Sequence, residues 1–354
     1  MNRSSRLSRP VGNPAASLEL YNGMQRTTRT SGSGNYFVLS FKSEASLEGY
    51  NLEEGLVRIG LEDAASKRSY WVIVTTRDRL DDLSKTLDSL LNQTLIPATI
   101  VVFDDGSKPP VTFSHPSVTV LRREDEGYDI RRVVKNWNIC LDFAARSGLT
   151  SKTSFLMISA DDCIYPPSYV ESIISRMMSE NVAVASGSRG IRVAPDGWKP
   201  PEGTGRLVAN SFLKSVQFKL PERAGYEPWI FYEALRRGLK VACYEDVQYT
   251  HLQKFGGQHQ FVEWAKMAHT LGYDPLFFLA RCLKNLYTGD IPRRATLRVL
   301  LGYLKPSNLE QEDEFYSPFD VEFRRFVRDL QRQRLRALFA RIPGLGKTRK
   351  SSIS

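Results

Sequence analysis

Ile100-Val101-Val102-Phe103-Asp104-Asp105-Gly106-Ser107 and Phe155-Leu156-Met157-Ile158-Ser159-Ala160-Asp161-Asp162 are two apolar runs of this chain, and each ends in a pair of carboxylates. Apolar runs of this length, bounded by turn formers, are typical of strands buried on both faces of a parallel sheet. Open α/β sheets bind their ligands at the carboxyl ends of such strands. Adjacent aspartates repel each other, and a cation or a hydrogen-bonding ligand compensates for that repulsion. The recurrence therefore predicts a site for a metal and a phosphorylated ligand.

Strand and helix patterns alternate on both sides of these two runs. Short apolar runs predict further strands, and a three-to-four spacing of apolar residues predicts helices. The predicted strands are 71–74, 100–103, 118–121, 155–158, 182–185, 239–244 and 247–251, and the predicted helices are 80–92, 130–145, 168–179 and 229–237. This alternation predicts an α/β fold, with right-handed crossovers and a mostly parallel sheet flanked by helices.

The composition is that of a globular protein, with 42% apolar and 25% charged residues in 354. The four cysteines lie far apart and form no CxxC pair, which favours reduced thiols over a disulfide framework. No stretch reaches the 18 or so apolar residues of a membrane span, and the N-terminus lacks the apolar core of a secretory signal. We therefore expect a cytoplasmic protein.

The C-terminal part of the chain is strongly basic. Residues 319–354 contain ten Lys or Arg against three acidic residues, in a chain of net charge +10. Apolar residues from Phe323 to Ile342 recur every three or four positions between these cations, which predicts a basic amphipathic helix. Such a helix either lies on an anionic membrane surface or docks on the rest of the protein or a second subunit. A nucleic-acid partner is not expected, because the chain shows no recognisable nucleic-acid module or aromatic platform.

The order of these motifs resembles that of the family 2 glycosyltransferases of the glycosyltransferase-A fold. The resemblance extends from about residue 70 to 251, and the predicted fold is then a nucleotide-diphosphate-sugar-binding sheet with a helical C-terminal extension. The motifs that carry it are Val72-Ile73-Val74-Thr75-Thr76, Val101 to Ser107, Ser159 to Asp162 followed by Pro166, Gly225-Tyr226-Glu227-Pro228-Trp229, and Arg237 to Val241. The resemblance implies an N-terminal extension (1–66, partly disordered), a catalytic domain (67–258) and a helical basic region (259–354).

On the donor side, the resemblance implies a role for each acid at the two strand ends. Asp161 and Asp162 match the family's Asp-x-Asp element, which holds Mn²⁺ or Mg²⁺ on the diphosphate. Asp162 is then the direct metal ligand, and Asp161 lies near the ribose or a metal-bound water. The first acid of the fuller motif is replaced by Ser159 here, which leaves fewer carboxylates to hold the metal.

The resemblance also implies a nucleotide pocket. Asp105 matches the acid that accepts the imide N–H of uracil or thymine, and Thr75 supplies a hydroxyl to the same pocket. Asp104 belongs to this donor-binding set as the residue that orders the turn. Arg132 takes the place of a nucleotide- or phosphate-facing basic residue, and the alternative is a solvated basic helix face shared with Arg131.

On the acceptor side, Glu227 is the expected catalytic base. The family usually places an acidic pair here, and Pro228 replaces its second acid. Proline suits the first turn of a helix, so the local architecture is expected to survive. The alternative is that Glu227 serves only as a helix N-terminal charge. His251, at the end of the last predicted strand, is either a metal ligand or a structural histidine.

The expected function is that of an inverting, metal-dependent glycosyltransferase in cell-surface or exported polysaccharide synthesis. Its expected partners are a nucleotide diphosphate sugar, a saccharide or lipid-linked saccharide acceptor, and an anionic membrane surface at which the cytoplasmic protein is peripheral. The alternative of a catalytically inactive nucleotide-sugar-binding module is not excluded, because Ser159 and Pro228 each replace an acidic residue of the family motifs. The third hypothesis is a nucleotidyltransferase. It is disfavoured because such enzymes typically have a glycine-rich phosphate loop after the first strand, and residues 75–79 contain no glycine.

Overall fold

The computed structural model describes residues 26–27, 38–39, 68–190, 198–253, 260–288, 292–304 and 313–340. The expected N-terminal extension lies outside these residues, apart from a short antiparallel pair formed by strands β1 (Arg26–Thr27) and β2 (Val38–Leu39).

The described chain is organised around a seven-stranded, mostly parallel sheet, which confirms the predicted fold class. Its strands are β3 (Tyr70–Thr76), β4 (Ile100–Asp104), β5 (Val118–Arg122), β6 (Phe155–Ala160), β8 (Val182–Ser188), β9 (Arg206–Ala209) and β10 (Lys240–Gln248). They lie in the order β10-β8-β9-β6-β3-β4-β5. Strand β9 runs antiparallel to both β6 and β8, and the sequence patterns did not predict it.

The central strands form because their residues are apolar on both faces. All five residues of β4 are buried. In β3, Trp71 and Ile73 contribute to the core on one face, while Val72 and Val74 contribute to the core on the other. Helices cover the two faces: α1 (Leu80–Leu91), α2 (Arg132–Arg146), α3 (Leu149–Lys152), α4 (Tyr169–Glu180), α5 (Asn210–Ser215) and α6 (Tyr226–Arg236). Helices α1 and α4 lie on one face of the sheet, and α2 and α6 lie on the other.

A small antiparallel pair stands beyond the end of β6. Strand β7 (Cys163–Ile164) follows the aspartate pair directly and pairs with β11 (Thr250–His251), so that His251 lies opposite Cys163. The backbone N–H of Leu252 donates to the Asp162 carbonyl over 2.8 Å. This pairing brings a residue from the end of the sheet region to the carboxylates at the end of β6.

The C-terminal region is helical, as expected, and it packs against the sheet domain. Its helices are α7 (Gln260–Thr270), α8 (Pro275–Thr288), α9 (Arg293–Leu304) and α10 (Val321–Phe339). Residues of these helices share one continuous core with α2 and α6. Among the described residues, no helix has both the length and the apolar content needed to cross a bilayer.

Helix α10 uses its apolar stripe inside the protein. Its N-terminus is capped by the Asp320 carboxylate, which accepts a hydrogen bond from the Phe323 N–H. Phe323 and Val327 are fully buried, and the Phe323 ring meets Tyr232 of α6 edge to face at 6.5 Å. Of the two sequence interpretations, the structure therefore shows docking on the protein for the part of the stripe from Phe323 to Leu335. Phe339 is exposed, and Ile342 lies outside the described residues.

We predict that Phe323→Ala lowers the free energy of unfolding by about 3–5 kcal/mol, because it leaves a cavity between α10 and α6. Chemical denaturation measures the change. Phe339→Ala is the matched control, since Phe339 lies on the same helix and is 53% exposed. A Phe323→Ala protein as stable as the control would show that α10 does not share the core of the sheet domain.

Candidate active site

A cavity of about 1040 Å³ opens at the carboxyl ends of β3 and β6. This volume is that of a site for a ligand of substantial size. Five residues singled out from the sequence line it: Thr75, Asp161, Asp162, Glu227 and His251. The structure thus brings the expected metal ligands and the expected base to a single cavity.

The carboxylates of Asp161 and Asp162 are both buried. The Thr76 hydroxyl donates to Asp161 Oδ2 over 2.8 Å. The Arg79 guanidinium lies between the two acids, with Nη1 3.5 Å from Asp161 Oδ1 and 3.2 Å from Asp162 Oδ2. Burial raises the pKa of Asp161 to about 6, while the Thr76 hydrogen bond and the Arg79 charge act in the opposite direction. The pair is therefore only partly compensated by the protein itself.

His251 adds a nitrogen to this carboxylate cluster. Its Nδ1 lies 3.4 Å from Asp162 Oδ2, and this buried atom has no hydrogen-bond partner within the part of the chain that the structure describes. Ligand atoms of Asp162, Cys163 and His251 all lie within 4.8 Å of one another. Two carboxylates and a partnerless imidazole nitrogen form a donor set that fits a divalent cation.

Cys163 and Arg79 were missed by sequence reasoning. Burial raises the pKa of the Cys163 thiol to about 12, so this sulfur stays protonated beside Asp162 at neutral pH. Cys163 had a signal in its position immediately after the aspartate pair. Arg79 lies in the loop before α1. The absence of glycine from residues 75–79 argued against a nucleotidyltransferase, but nothing in the local pattern linked Arg79 to residues 161 and 162.

Asp105 and Arg132 lie together in a buried network. Arg132 Nη2 lies 3.3 Å from Asp105 Oδ2, and Asn136 Nδ2 donates to Asp105 Oδ1 over 3.2 Å. Arg132 also donates to the Gly127 carbonyl. Its side chain is 8% exposed, so it is not part of a solvated basic face. The Asp105 carboxylate is thus held in a fixed orientation beside the end of β4.

Asp104 has a different set of contacts from its neighbour Asp105. It is fully buried, and its carboxylate accepts hydrogen bonds from the N–H groups of Ser107 (2.7 Å) and Val111 (3.1 Å) and from Arg122. Both oxygens are engaged within the segment that follows β4. These contacts order the turn after β4, and the donor-binding role of Asp104 stays a prediction.

Glu227 lies in the first turn of α6, which begins after Gly225 in a left-handed conformation (φ 95°). No hydrogen bond or ion pair to its carboxylate is formed by the residues described here. A Cβ atom at Gly203 would come within 2.8 Å of Glu227 Oε2, so this glycine leaves the space that the carboxylate occupies. Burial raises the pKa of Glu227, with Arg206 and Arg189 opposing the shift. Glu227 is half-buried, and a partly desolvated carboxylate that lines a cavity is suited to accept a proton.

Arg206, on the unpredicted strand β9, holds the backbone around Glu227. Its fully buried guanidinium donates to the carbonyls of Glu227 (2.7 Å) and Glu202 (2.8 Å). It thereby joins the start of α6 to the loop before β9. The sequence carried no periodic signal for this four-residue strand, which follows a stretch rich in glycine and proline.

The C-terminal helices supply one wall of the cavity. Glu263, Trp264 and Met267 of α7 line it, together with Trp137 of α2. Trp137 is buried, and its indole Nε1 has no hydrogen-bond partner among the residues with described side chains. Because α7 begins after residue 258, the cavity crosses the expected domain boundary.

One protein-family model matches the part of the chain that contains most of the sheet. The family model "Glycosyl transferase family 2" matches residues 71–239. No curated protein sequence matches the chain.

Three solved structures are similar to this chain. A crystal structure of S. aureus TarS 1–349 has 14% identity and a TM-score of 0.41, with 78% of this chain and 81% of that chain covered. TarS 1–349 in complex with UDP-GlcNAc has 14% identity and a TM-score of 0.40, with coverage of 76% and 81%. The mannosyltransferase PcManGT from Pyrobaculum calidifontis, in complex with GDP-Man and Mn²⁺, has 15% identity and a TM-score of 0.44, with coverage of 77% and 86%.

We predict that Arg79→Ala destabilises the metal-free protein by about 1 kcal/mol or less, because Asp161 and Asp162 lose a half-exposed cation that they share. Added Mn²⁺ should then stabilise the variant more than the wild type, since the metal no longer displaces a guanidinium. Thermal unfolding with EDTA and with Mn²⁺ measures both effects.

Arg68→Ala is the control for this experiment. Arg68 is equally exposed, at 49%, and its ion pair with Glu171 lies outside the cavity. An equal Mn²⁺-induced shift in the wild type and the Arg79→Ala variant would contradict competition between Arg79 and a metal.

Proposed function

The chain carries a family 2 glycosyltransferase domain over residues 71–239, and we propose that it is an inverting, metal-dependent enzyme. Glycosyl transfer from a nucleotide sugar follows from the family. The observation that carries the finer proposal is the content of one cavity, which is lined by the buried Asp161 and Asp162, by His251 and by the half-buried Glu227.

Asp162 and His251 are the proposed metal ligands, and Asp161 is held beside them by Thr76. When bound, a divalent cation neutralises the negative charge that develops on a leaving diphosphate. An imidazole ligand favours Mn²⁺ over Mg²⁺, because Mg²⁺ prefers an all-oxygen shell. Mn²⁺ is therefore the proposed ion, with Mg²⁺ as the alternative.

Asp105 is the proposed nucleobase reader. Arg132 and Asn136 fix the orientation of its carboxylate, which suits the recognition of an imide N–H by a defined acceptor geometry. Thr75 lines the cavity at the end of β3 and supplies a hydroxyl on the donor side. This arrangement supports a uridine or thymidine diphosphate sugar as the donor.

Glu227 is the proposed general base. In an inverting transfer, one carboxylate removes the acceptor hydroxyl proton while that oxygen attacks the sugar from the face opposite the diphosphate. A carboxylate with a raised pKa is a stronger proton acceptor than an exposed one, and Glu227 has no described donor that would hold its lone pairs. Arg206 fixes the backbone of Glu227 and so positions the base without contacting the substrate.

The acceptor is proposed to be a saccharide, free or lipid-linked. Trp137 and Trp264 line the cavity near Glu227, and indole rings are suited to pack on the apolar faces of sugars. The partnerless Nε1 of Trp137 is a further donor for a sugar hydroxyl. A cytoplasmic enzyme of polysaccharide synthesis, peripheral on the inner membrane face, is the context that we propose for such an acceptor.

The first test of this function is a screen of nucleotide sugars with Mn²⁺, read by thermal shift and by donor hydrolysis. We predict that Asp162→Asn weakens Mn²⁺-dependent hydrolysis by about 10²–10³-fold, because a charged ligand to the ion is lost. Isothermal titration calorimetry should show a parallel loss of Mn²⁺ binding. Asp88→Asn is the control, since Asp88 is exposed on α1. Undiminished hydrolysis in Asp162→Asn would remove the metal assignment.

We predict that Glu227→Gln keeps donor affinity and lowers kcat for transfer by about 10²–10⁴-fold, the usual contribution of a general base. The base must be ionised, and burial raises its pKa. In the wild type, kcat/KM should therefore fall as the pH drops through a pKa above the ordinary glutamate value of about 4.3. This acidic limb should be absent from the residual activity of the variant.

Glu124→Gln, which changes an exposed glutamate, is the control for this substitution. Unchanged turnover in Glu227→Gln would assign the proton transfer to another acid. A wild-type protein that binds a nucleotide sugar with Mn²⁺ but neither hydrolyses nor transfers it would favour the inactive binding module.

A further inference from the structure

Helices α8 and α9 carry most of the exposed apolar surface of the described chain. They provide 26 residues, yet they hold seven of the thirteen large apolar side chains that are exposed among the described residues. These are Leu276, Leu279, Leu283, Tyr287, Leu297, Leu301 and Leu304.

The exposed side chains form one stripe on each helix. Their spacing of three or four residues places them on a single helix face. The opposite face of α8 buries Phe278, and the opposite face of α9 buries Val299 and Tyr303. The rings of Phe278 and Tyr303 stack at 4.1 Å between the two helices. The two helices thus pack through their buried faces, and the leucine stripes are turned away from the core.

Exposed cations lie on the same two helices as these stripes, and one of them, Arg281, lies over the Trp264 ring of α7. Residues 275–304 contain five Lys or Arg and a single acidic residue, Asp290. All five cations are exposed: Arg281, Lys284, Arg293, Arg294 and Arg298. Within the described part of the chain, no ion pair neutralises Lys284 or the three arginines of α9. An apolar stripe bordered by free cations is the pattern of a helix that lies in a membrane interface.

We propose that α8 and α9 form a docking surface for an anionic lipid bilayer. The leucines enter the boundary between headgroups and acyl chains, and the cations contact lipid phosphates. The inference rests on the proposed function, because it would place the catalytic cavity at the surface where a lipid-linked acceptor resides. It moves the membrane contact away from α10, whose apolar stripe is covered from Phe323 to Leu335.

Charge argues against a second copy of the chain as the occupant. A two-fold interface would press the same face of two protomers together. Lys284, Arg293, Arg294 and Arg298 have no ion pair among the described residues, and like charges brought together across such an interface are strongly unfavourable. An anionic bilayer satisfies the leucines and the cations at the same time.

The position of this surface suits an acceptor that arrives from the membrane. Helix α7 packs directly on α9, where the His269 ring stacks on Tyr303 at 4.5 Å and a Cβ at Gly302 would lie 3.3 Å from that of Ala265. The same helix supplies Trp264 to the cavity wall. A single helix therefore separates the proposed docking surface from the acceptor side of the cavity.

Vesicle co-sedimentation of the full-length protein tests the proposal. We expect the wild type to pellet with vesicles of phosphatidylglycerol and phosphatidylcholine, and to pellet at least tenfold less with phosphatidylcholine alone or at high salt. The double variant Leu279→Gln/Leu283→Gln and the double variant Arg293→Gln/Arg294→Gln should each lower the partition coefficient at least tenfold. Circular dichroism checks that both variants are folded.

Two controls separate this surface from other parts of the molecule. Ile96→Gln changes an exposed apolar side chain elsewhere, and Arg325→Gln/Arg336→Gln removes two exposed charges from α10. Both should pellet like the wild type. Loss of binding in the α10 variant alone, or equal pelleting of all variants, would overturn the proposal. The proposal would also be overturned if the wild type did not bind vesicles and instead formed a dimer that the leucine double variant dissociates. Donor hydrolysis, measured without vesicles, reports separately on the proposed enzyme.

Discussion

The mutual repulsion of Asp161 and Asp162 is the constraint around which the site is built. Two buried carboxylates one residue apart cannot both ionise without nearby positive charge or hydrogen-bond donors. Thr76 supplies one donor, and Arg79 supplies a half-exposed cation whose effect is weakened by water. The divalent ion that we propose, with Asp162 and His251 as its ligands, would supply further positive charge at this position. Burial raises the pKa of Asp161 most strongly, the Asp162 charge adds to the shift, and Thr76 and Arg79 oppose it.

This constraint explains why distant parts of the chain converge on the end of β6. The β7–β11 pair brings His251 to Asp162 across almost ninety residues of sequence, through backbone pairing alone. Strand β9 supplies Arg206, which holds the first turn of α6 and hence Glu227. The proposed metal ligands and the proposed base are thus held by separate elements packed around the seven-stranded sheet, which is one way to maintain a fixed distance between two catalytic groups.

Local patterns predicted the elements whose signal is local. Strands β3, β4 and β6 are buried on both faces and read as continuous apolar runs, so their ends marked the positions of Asp105, Asp161 and Asp162. Strand β9 could not be predicted from the sequence, because a run of four residues is too short to show a clear hydrophobic periodicity. The roles of Arg79 and Arg206 were missed for a related reason. Their contacts with residues 162 and 227 depend on the tertiary fold and cannot be recognised from the spacing of residues in the sequence. The resemblance to a family supplied roles for Glu227 and His251 that the residue pattern by itself did not distinguish from structural ones.

The C-terminal helices show what amphipathic periodicity can and cannot decide. The sequence of α10 predicted an apolar stripe among arginines, and that stripe is present, but its first part, which includes Phe323, Val327 and Leu330, is covered by α6 and the neighbouring core. Helices α8 and α9 have stripes of similar spacing that nothing in the described chain covers. Apolar periodicity indicates that one face of a helix is buried against something other than water. Which part of the protein, or which partner, covers that face depends on how the rest of the fold is arranged. In α10, Gln331 and Arg332 both bind Asp274, and these polar contacts fix the helix onto the protein. The exposed faces of α8 and α9 lack comparable contacts among the described residues, and this difference is the basis of the anionic partner that we propose for them.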